Sequence, residues 1–399
     1  MNTDSLFTLA VHAGERTTRP DFIPVVTPVY HSSSFIYDEM STLDGVFAGT
    51  HAGPVYARYG NPTNGALERA VAALEYGEAA LTYGSGMAAL HGALLAAGAR
   101  NGCKVVAAQD LYGATFALLN RLLPTQGVNT HFVDVTDLSL LEAKLDEIRP
   151  GVVLVETVSN PLLKVADIAR IAELTHALGG CLVVDNTFAT PILCRPLALG
   201  ADYVVHSATK YLGGHGDVLG GVVVTSAERY AELYELHKLT GGVLGPQDAW
   251  LIHRGIKTLP LRVERQCANA LEVVAWLAEH PSVAHVNFPG LPSHPQHDLA
   301  RRCFGGKWFG AMISFALQRP DREMAFRFMD SLRMVAPATT LGDVYSLVLH
   351  PATSSHRALT AETREQFGIS EGLIRLSVGI EEPADIISDI DQALRALGT

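Results

Sequence analysis

The sequence predicts an α/β fold in which a large, mostly parallel sheet lies between helices and a smaller α+β domain follows at the C-terminus. Short apolar runs rich in β-branched residues alternate with helical patterns from about residue 61 to 256. Such runs are typical of parallel strands that are covered on both faces. Beyond residue 256 the order of strand-like and helical segments changes, which predicts a second domain.

The chain divides into three segments. Its 399 residues exceed the length of a typical single core. Residues 1–60 are rich in Pro, Ser, Thr and aromatic residues without a clear period, so we expect this segment to lie across another subunit. We expect residues 61–256 to form the α/β domain and residues 257–399 the C-terminal α+β domain.

Each element follows from its apolar spacing. "ALERAVAALEYG" predicts a helix that ends at Gly77, and "HRGIKTLPLRVERQCANALEVVAWLAEH" (residues 253–280) predicts one long helix. Strands of the first domain are predicted at "KVVAAQ", "THFVDV", "VVLVET", "CLVVDN", "DYVVHS" and "GGVVVT", and helices at "FALLNRLL", "LSLLEAKLDEI" and "IARIAELTHAL". In the C-terminal domain "GAMISFAL" and "LIRLSVGI" predict strands, and "MAFRFMDSL" and "ADIISDIDQALRAL" predict helices.

Composition argues against several classes of partner. A net charge of −11 argues against nucleic acid or an anionic membrane, because both select for basic surfaces. No apolar run is long enough to span a membrane, no secretory signal is visible, and the five cysteines form no CxxC pair, so we expect a cytoplasmic protein. His294 and His297 have loose metal-ligand spacing but lack a third ligand, and we expect no metal.

A phosphate site is indicated where "LTYGSGMAAL" places the tight turn Gly84-Ser85-Gly86 between a strand and a helix. Glycines allow close backbone approach, and the N–H groups of a helix start attract phosphate. The same residues match GxGxxA, so a dinucleotide site with Asp110 as ribose contact is an alternative, and a plain turn is another.

Two further residues suggest a cofactor with a charged ring. Asp185 follows an apolar strand, at the edge where open α/β sheets bind ligands, although an Asp there also caps turns. Lys210 follows another strand, between the hydroxyls of Ser207 and Thr209 and a glycine-rich run. A lone lysine is usually solvated. An Asp that pairs a pyridinium, together with a Lys that forms a Schiff base, is nevertheless typical of pyridoxal phosphate sites.

The whole chain resembles one family. The stretches "YARYGNPT", "YGSGMAAL", "DLYGATFALL", "ETVSNP", "VVDNTFATP", "HSATKYLGGHGD", "RGIKTL" and "ISEGLIRLSVGIE" resemble, in order, motifs of the pyridoxal-phosphate-dependent Cys/Met metabolism (transsulfuration) enzymes. The resemblance implies fold type I, which is aspartate aminotransferase-like, and pyridoxal 5'-phosphate as cofactor. It disfavours the dinucleotide alternative.

The resemblance also implies roles for individual residues. Lys210 would bind the cofactor covalently and act in catalysis, and Tyr112 would stack on the ring and exchange protons with substrate or leaving group. Asp185 would hold the ring nitrogen. Phosphate would be bound by Gly86, Met87, Ser207 and Thr209, and from a neighbouring subunit by Tyr56 and Arg58. The substrate carboxylate would be bound by Arg375, Asn160 and Thr340. The implied assembly is a homotetramer, a dimer of dimers that share active sites.

Four positions depart from the family's usual residues and bear on the substrate. Thr339 replaces the Glu usual in members that act on cystathionine, and Thr340 replaces a Ser. In the loop "LYGATFALL", which resembles the methionine γ-lyase version, Ala114 replaces a Cys. In the separate stretch "HKLTGGVLGP", Leu239 stands where methionine γ-lyases often have an Asp. We expect γ-elimination, a carbon–sulfur lyase reaction, on methionine or a related γ-substituted L-amino acid. The alternatives are γ-replacement, as in O-acylhomoserine sulfhydrylase or cystathionine γ-synthase, and cystathionine γ-lyase activity.

Overall fold

A computed structural model of the protein describes residues 5–15, 23–319, 321–357 and 359–398. Seven strands form the larger sheet: β1 Ala79–Tyr83, β2 Lys104–Ala108, β3 Asn129–Val133, β4 Val152–Glu156, β5 Cys181–Asp185, β6 Tyr203–Ser207 and β7 Gly221–Thr225. They lie in the order β1-β7-β6-β5-β4-β2-β3. The strands from β6 to β3 are parallel, whereas β7 runs antiparallel to both of its neighbours. The predicted α/β fold with a mostly parallel sheet is therefore confirmed.

Helices occupy every segment between consecutive strands of this sheet except that between β6 and β7, and they also lie near both ends of the chain. The first nine are α1 Leu6–His12, α2 Met40–Phe47, α3 Pro62–Glu75, α4 Gly86–Ala96, α5 Gly113–Ala117, α6 Leu138–Ile148, α7 Ile168–Ala177, α8 Thr190–Leu193 and α9 Ala227–Thr240. They are followed by α10 Pro246–Ile256, α11 Leu259–Glu279, α12 His297–Cys303, α13 Arg322–Ser331, α14 Ala361–Gln366 and α15 Pro383–Arg395. A π-helical turn (Leu118–Leu122) continues α5, and short 3-10 turns cover Leu123–Gln126, Pro196–Leu199 and Pro351–Thr353.

The single long helix predicted over residues 253–280 is wrong, because the structure divides it between α10 and α11. The break lies at Lys257 and Thr258, and Pro260 is the second residue of α11. A proline is tolerated in the first turn of a helix but not in its interior, where its missing N–H would break the hydrogen-bond ladder. The N-terminal segment, which showed no clear period, also contains two short helices, α1 and α2.

A smaller sheet is formed by the C-terminal part of the chain. Its strands are β8 Val283–Asn287, β9 Met312–Leu317, β10 Ala336–Pro337, β11 Leu347–Leu349 and β12 Leu373–Ser377, in the order β10-β11-β12-β9-β8. Every pair is antiparallel except β10 with β11. Arg375 lies on β12, the central strand, between Leu349 and Ser314. This sheet therefore carries a buried cation at its centre.

Part of the N-terminal segment exposes large apolar side chains. Ile36 is fully exposed, and Val25, Met40 and Phe47 are 79, 75 and 61 % exposed. Several exposed large apolar side chains in one segment are typical of a surface that another chain covers. Within the described ranges, no helix combines the length and the apolar character that crossing a membrane demands.

Candidate active site

A cavity of about 380 Å³ lies between the two sheets. Glu156, Asp185 and Ser207, the last residues of β4, β5 and β6, line it side by side. Because these strands are parallel, their carboxyl ends meet at one edge of the sheet, which is where ligands bind in open α/β folds. Arg375 lines the cavity from the smaller sheet. The cavity thus brings residues of both halves of the chain together.

The start of α4 forms one end of this cavity. Ser85 caps the helix, and its hydroxyl accepts a hydrogen bond from the N–H of Ala88 at 3.1 Å. The N–H groups of Gly86 and Met87 have no carbonyl partner inside the helix and carry its positive dipole end. A Cβ on Gly86 would lie 2.7 Å from Cβ of Ser207 and 2.8 Å from its hydroxyl. Glycine is therefore needed for α4 and Ser207 to come this close, and together they form a cradle suited to phosphate.

Lys210 lies in the loop after β6 and lines the same cavity. Its Nζ donates a hydrogen bond to Oγ1 of Thr340 at 3.1 Å. Burial lowers the pKa of the Lys210 amine, the nearby Arg375 lowers it further, and Asp343 opposes this effect. A lysine amine that loses its proton more readily becomes nucleophilic. The hydroxyl of Thr209 is engaged with the backbone of Gly220, donating to its carbonyl oxygen and accepting from its N–H.

Asp185 faces the middle of the cavity. Oδ1 accepts a hydrogen bond from the N–H of Thr187 at 2.9 Å, and Thr187 in turn accepts one from the N–H of Ser207. Burial raises the pKa of the Asp185 carboxyl, although its hydrogen bonds with Thr187 oppose the rise. No lysine or arginine of the described residues pairs with it. A buried carboxylate without such a partner is costly, and a protonated ring nitrogen would be a suitable partner.

Arg375 is bound by two of the residues predicted to act with it. Nη1 donates to Oδ1 of Asn160 at 3.0 Å, and Nη2 donates to the carbonyl oxygen of Thr340 at 3.3 Å. Burial lowers the pKa of the Arg375 guanidinium to about 10. In the described part of the chain its Nε has no hydrogen-bond partner and no carboxylate forms a salt bridge with it. This buried cation is suited to bind a carboxylate in a fork.

Tyr112 lines the cavity at the start of α5, with 40 % of the residue exposed. Glu156, which we did not predict as a site residue, accepts a hydrogen bond from the backbone N–H of Tyr112 at 2.7 Å and another from the N–H of Asn160 at 3.0 Å. Burial raises the pKa of the Glu156 carboxyl well above its usual range, and Asp185 adds to this effect. The signal that indicated Asp185, a carboxylate at the end of an apolar strand, was also present at Glu156.

The cavity wall between these polar groups is largely apolar, and sequence patterns did not indicate it. Its apolar residues are contributed by widely separated loops and strands, and include Val158, Phe188, Leu219, Leu341 and Leu349. Single apolar residues in loops carry no periodic signal. Only the fold shows that they share one cavity.

Tyr56 and Arg58 do not line this cavity in the single chain. Nη1 of Arg58 donates to the carbonyl oxygen of Lys238, and the guanidinium lies over the rings of Tyr56 and Tyr59. Of the positions that depart from the family, Thr339 lines the cavity, whereas Ala114 and Leu239 do not.

The alternative ribose contact, Asp110, also lies outside the cavity lining, and it pairs with Lys164 at 2.6 Å. It therefore has a structural partner of its own. No cluster of three or more potential metal ligands occurs among the residues that the structure describes.

The residues present fit pyridoxal 5'-phosphate. The cradle of Gly86 and Ser207 suits the phosphate, the unpaired Asp185 suits the ring nitrogen, and the lysine with the lowered pKa suits the aldehyde carbon. Tyr112 would cover one face of the ring. Each of these groups lines one cavity, so a single molecule could contact all of them.

Comparisons with known proteins place the chain in a family. Residues 7–395 match the family described as Cys/Met metabolism PLP-dependent enzyme. The chain is 43 % identical to L-methionine gamma-lyase of Fusobacterium nucleatum subsp. polymorphum, covering 98 % of each chain. It is 40 % identical to O-succinylhomoserine sulfhydrylase of Pseudomonas aeruginosa, covering 98 % of this chain and 95 % of the relative. The crystal structure of cystathionine gamma synthase from Xanthomonas oryzae pv. oryzae in complex with cystathionine is 39 % identical and covers 99 % of both chains, with a TM-score of 0.92.

Proposed function

Because the chain belongs to the Cys/Met metabolism PLP-dependent enzyme family, we propose that it catalyses γ-elimination on methionine or a related γ-substituted L-amino acid. The reaction consumes one water and releases 2-oxobutanoate, ammonia and a thiol. When bound, pyridoxal phosphate supplies an electron sink for carbanion chemistry at the α- and β-carbons of the substrate. The chain's own residues then bind the substrate, orient it and move its protons.

Lys210 is the proposed base. Its Nζ takes the proton from the α-carbon, and the lowered pKa of the amine supports this role because a general base must be free of its proton near neutral pH. The hydroxyl of Thr340 accepts a hydrogen bond from Nζ and can hold the amine in position. Tyr112, at the partly exposed side of the cavity, is the proposed proton donor to the leaving thiolate.

Arg375 is the proposed ligand of the substrate carboxylate. Asn160 and the backbone of Thr340 already hold two of its nitrogens, and they leave the rest of the guanidinium for a carboxylate. A fork of two parallel N–H groups fixes both the position and the orientation of that carboxylate. The α-carbon is then held close to Lys210, which shares the cavity.

The observation that carries the choice of substrate is the uncharged wall of the cavity. Thr339 lines it at the position where members that act on cystathionine usually carry a Glu, and Val158, Leu219 and Leu341 add apolar surface. The carboxylates of the lining, Glu156 and Asp185, lie at the strand ends that face the proposed ring. A thioether methyl group suits this wall better than the distal charged groups of cystathionine.

Gamma-replacement is the second candidate, with cystathionine γ-lyase activity as a further alternative. Leu219, which lines the cavity, is 58 % exposed, and Thr339 is exposed too. An open mouth of this kind could admit a second substrate, a thiol, that captures the γ-carbon. The resemblance to a sulfhydrylase favours the same candidate.

We further propose a homotetramer built of dimers that share active sites. Tyr56 and Arg58 do not line the cavity of their own chain, and several large apolar side chains within residues 23–47 are exposed. A partner's Arg58 would supply the fixed charge that phosphate requires.

Residues 1–60 would then be the exchanged segment, residues 61–256 the cofactor domain and residues 257–399 the C-terminal domain. The break between α10 and α11 supports the last boundary. Cytoplasmic location stays a prediction.

A substrate panel tests the proposal. Methionine, homocysteine, cystathionine, cysteine and O-acetylhomoserine are incubated with the holoenzyme, with and without an added thiol, and 2-oxobutanoate and thioether products are measured. We expect 2-oxobutanoate and methanethiol from methionine without added thiol. Thioether formed from O-acetylhomoserine, with no 2-oxobutanoate from methionine, would replace our first candidate by the second.

A further inference from the structure

We infer that Glu156 is a positioning residue that couples the ring-stacking Tyr112 to the carboxylate-binding pair of Asn160 and Arg375. The inference rests on the proposed function of those residues. It assigns a role to a buried carboxyl group that binds the backbone N–H groups of Tyr112 and Asn160 and acts on Arg375 through Asn160.

The first step is the geometry of the carboxylate. Oε1 accepts from the N–H of Tyr112 at 2.7 Å, and Oε2 accepts from the N–H of Asn160 at 3.0 Å. The two donors belong to different loops: Tyr112 follows β2, and Asn160 follows β4. Two oxygens on one rigid plane therefore fix the distance between these two loops.

The second step is the connection from Asn160 to the substrate ligand. Oδ1 of Asn160 accepts from Nη1 of Arg375 at 3.0 Å, and Asn160 is almost fully buried. A shift of the Asn160 backbone would carry its side chain away from Arg375. Glu156 thus sets the position of the guanidinium through one intermediate residue.

The third step is the place of Glu156 beside the ring-nitrogen ligand. Glu156 and Asp185 are paired residues on neighbouring parallel strands, and the N–H of Thr157 donates to the carbonyl oxygen of Asp185 at 3.0 Å. Two carboxylates side by side in a buried site are costly. The N–H groups of Tyr112 and Asn160 offset part of that cost at Glu156. The carboxyl group therefore keeps both hydrogen bonds, and both loops stay attached to it.

The experiment compares Glu156→Gln with Asp389→Asn in the holoenzyme. Both replace a buried carboxylate, whose two oxygens accept backbone N–H groups, by a carboxamide of the same shape. Asp389 does not line the cavity, and it accepts hydrogen bonds from the N–H groups of Arg333, Met334 and Val335. A carboxamide presents one oxygen and one NH₂, so at position 156 one of the two loops faces a donor and is released.

We expect Glu156→Gln to raise the KM of the amino-acid substrate about tenfold, since small displacements of positioning groups have effects of this size. We also expect a changed visible circular dichroism band of bound pyridoxal phosphate, because the ring of Tyr112 moves. Asp389→Asn should lower the melting temperature and leave KM, the visible band and the Kd of pyridoxal phosphate unchanged. A Glu156→Gln enzyme that loses stability only, as Asp389→Asn does, would overturn the inference.

A second variant and a double-mutant cycle test the inference if Glu156→Gln does not fold. Glu156→Asp keeps the carboxyl group but is one methylene shorter and cannot reach both N–H groups, so it should show the same changes. In a cycle of Glu156→Asp with Asn160→Ala, the effects on KM should be non-additive, and additive effects would contradict the coupling. The visible circular dichroism band and the Kd of pyridoxal phosphate are measured without substrate, so they test the role of Glu156 independently of turnover. A wild-type enzyme that is inactive on the whole substrate panel would contradict the proposed function and not the role of Glu156.

Discussion

Nζ of Lys210 and Oγ1 of Thr340 lie 3.1 Å apart, joined by a hydrogen bond between residues that are 130 positions apart in the chain. The bond connects the loop after β6 of the larger sheet to the loop between β10 and β11 of the smaller sheet. Burial and Arg375 lower the pKa of the amine at the same point. The two parts of the chain therefore meet at the proposed base: Thr340 positions its amine, and burial together with Arg375 lowers its pKa.

Lys210→Ala should abolish turnover and the visible absorption of covalently bound cofactor. We expect kcat to fall on the order of 10³-fold or more, since proton transfer and covalent attachment are lost together. The measurement is steady-state 2-oxobutanoate release with an absorption spectrum of the purified protein. Lys144→Ala, which removes a surface lysine paired with Glu147, is the control, and a Lys210→Ala enzyme that turned over like it would contradict the role.

Arg375→Lys should weaken substrate binding although the charge is kept. A lysine cannot present the planar fork, and it leaves Oδ1 of Asn160 without its donor, so we expect KM to rise about tenfold or more. Initial rates over a range of substrate concentrations separate KM from kcat. Arg322→Lys alters an exposed pair with Glu371 and should leave KM as it is. Equal KM values for the two variants would count against the carboxylate fork.

Gly86→Ala should weaken binding of pyridoxal phosphate. The added methyl group would meet Cβ of Ser207 at 2.7 Å, so α4 and Ser207 would have to separate and the phosphate cradle would open. Titration of the apoenzyme with pyridoxal phosphate gives the Kd. Gly65→Ala is the control. Gly65 lies within α3, and an added Cβ would meet only the flexible end of the Arg69 side chain at 3.2 Å. This variant should bind the cofactor normally, and its free energy of unfolding should rise by about 0.5–1 kcal/mol from helix propensity. An unchanged Kd of pyridoxal phosphate in Gly86→Ala would contradict the role of Gly86 and Ser207 as the phosphate cradle.

Asp389 should stabilise the fold in a pH-dependent way. Burial raises the pKa of this carboxyl, but the N–H groups of Val335, Met334 and Arg333 outweigh that effect and lower it below its usual value. Its contribution is therefore complete above the pKa of the unfolded chain and is lost as the pH falls through the folded pKa. Asp389→Asn should cost about 1–3 kcal/mol of unfolding free energy at neutral pH. Denaturant titrations at several pH values give the free energy of unfolding of both proteins, and the difference between them should shrink in acid. A difference that stays constant with pH would contradict a contribution that depends on the protonation of Asp389.

Shared active sites should appear as complementation between subunits. Arg58→Ala and Lys210→Ala are each expected to be inactive or nearly so. Refolded together, half of the dimers are mixed, and each mixed dimer has one intact site, so about a quarter of wild-type activity should return if partners exchange Arg58. The release of 2-oxobutanoate is measured at several mixing ratios. A mixture no more active than its components would place Arg58 outside the partner's site.

The sequence by itself determined the sheet and the residues at its edge. Buried strands and amphipathic helices have local periods, and Asp185, Ser207 and Lys210 stand out because polar groups follow apolar strands directly. The break between α10 and α11 was missed because the apolar spacing continues across it; Pro260 in the first turn of α11 was not used as a signal.

Only the tertiary structure decided which distant residues meet. Asn160 and Arg375 are 215 positions apart, and no local pattern predicts that their side chains bond or that Glu156 binds the backbone of both loops beside it. The physical reason is that hydrogen bonds between loops depend on how two sheets pack. Periodicity reports which face of an element is buried, but it does not report which side chains face each other across a cavity.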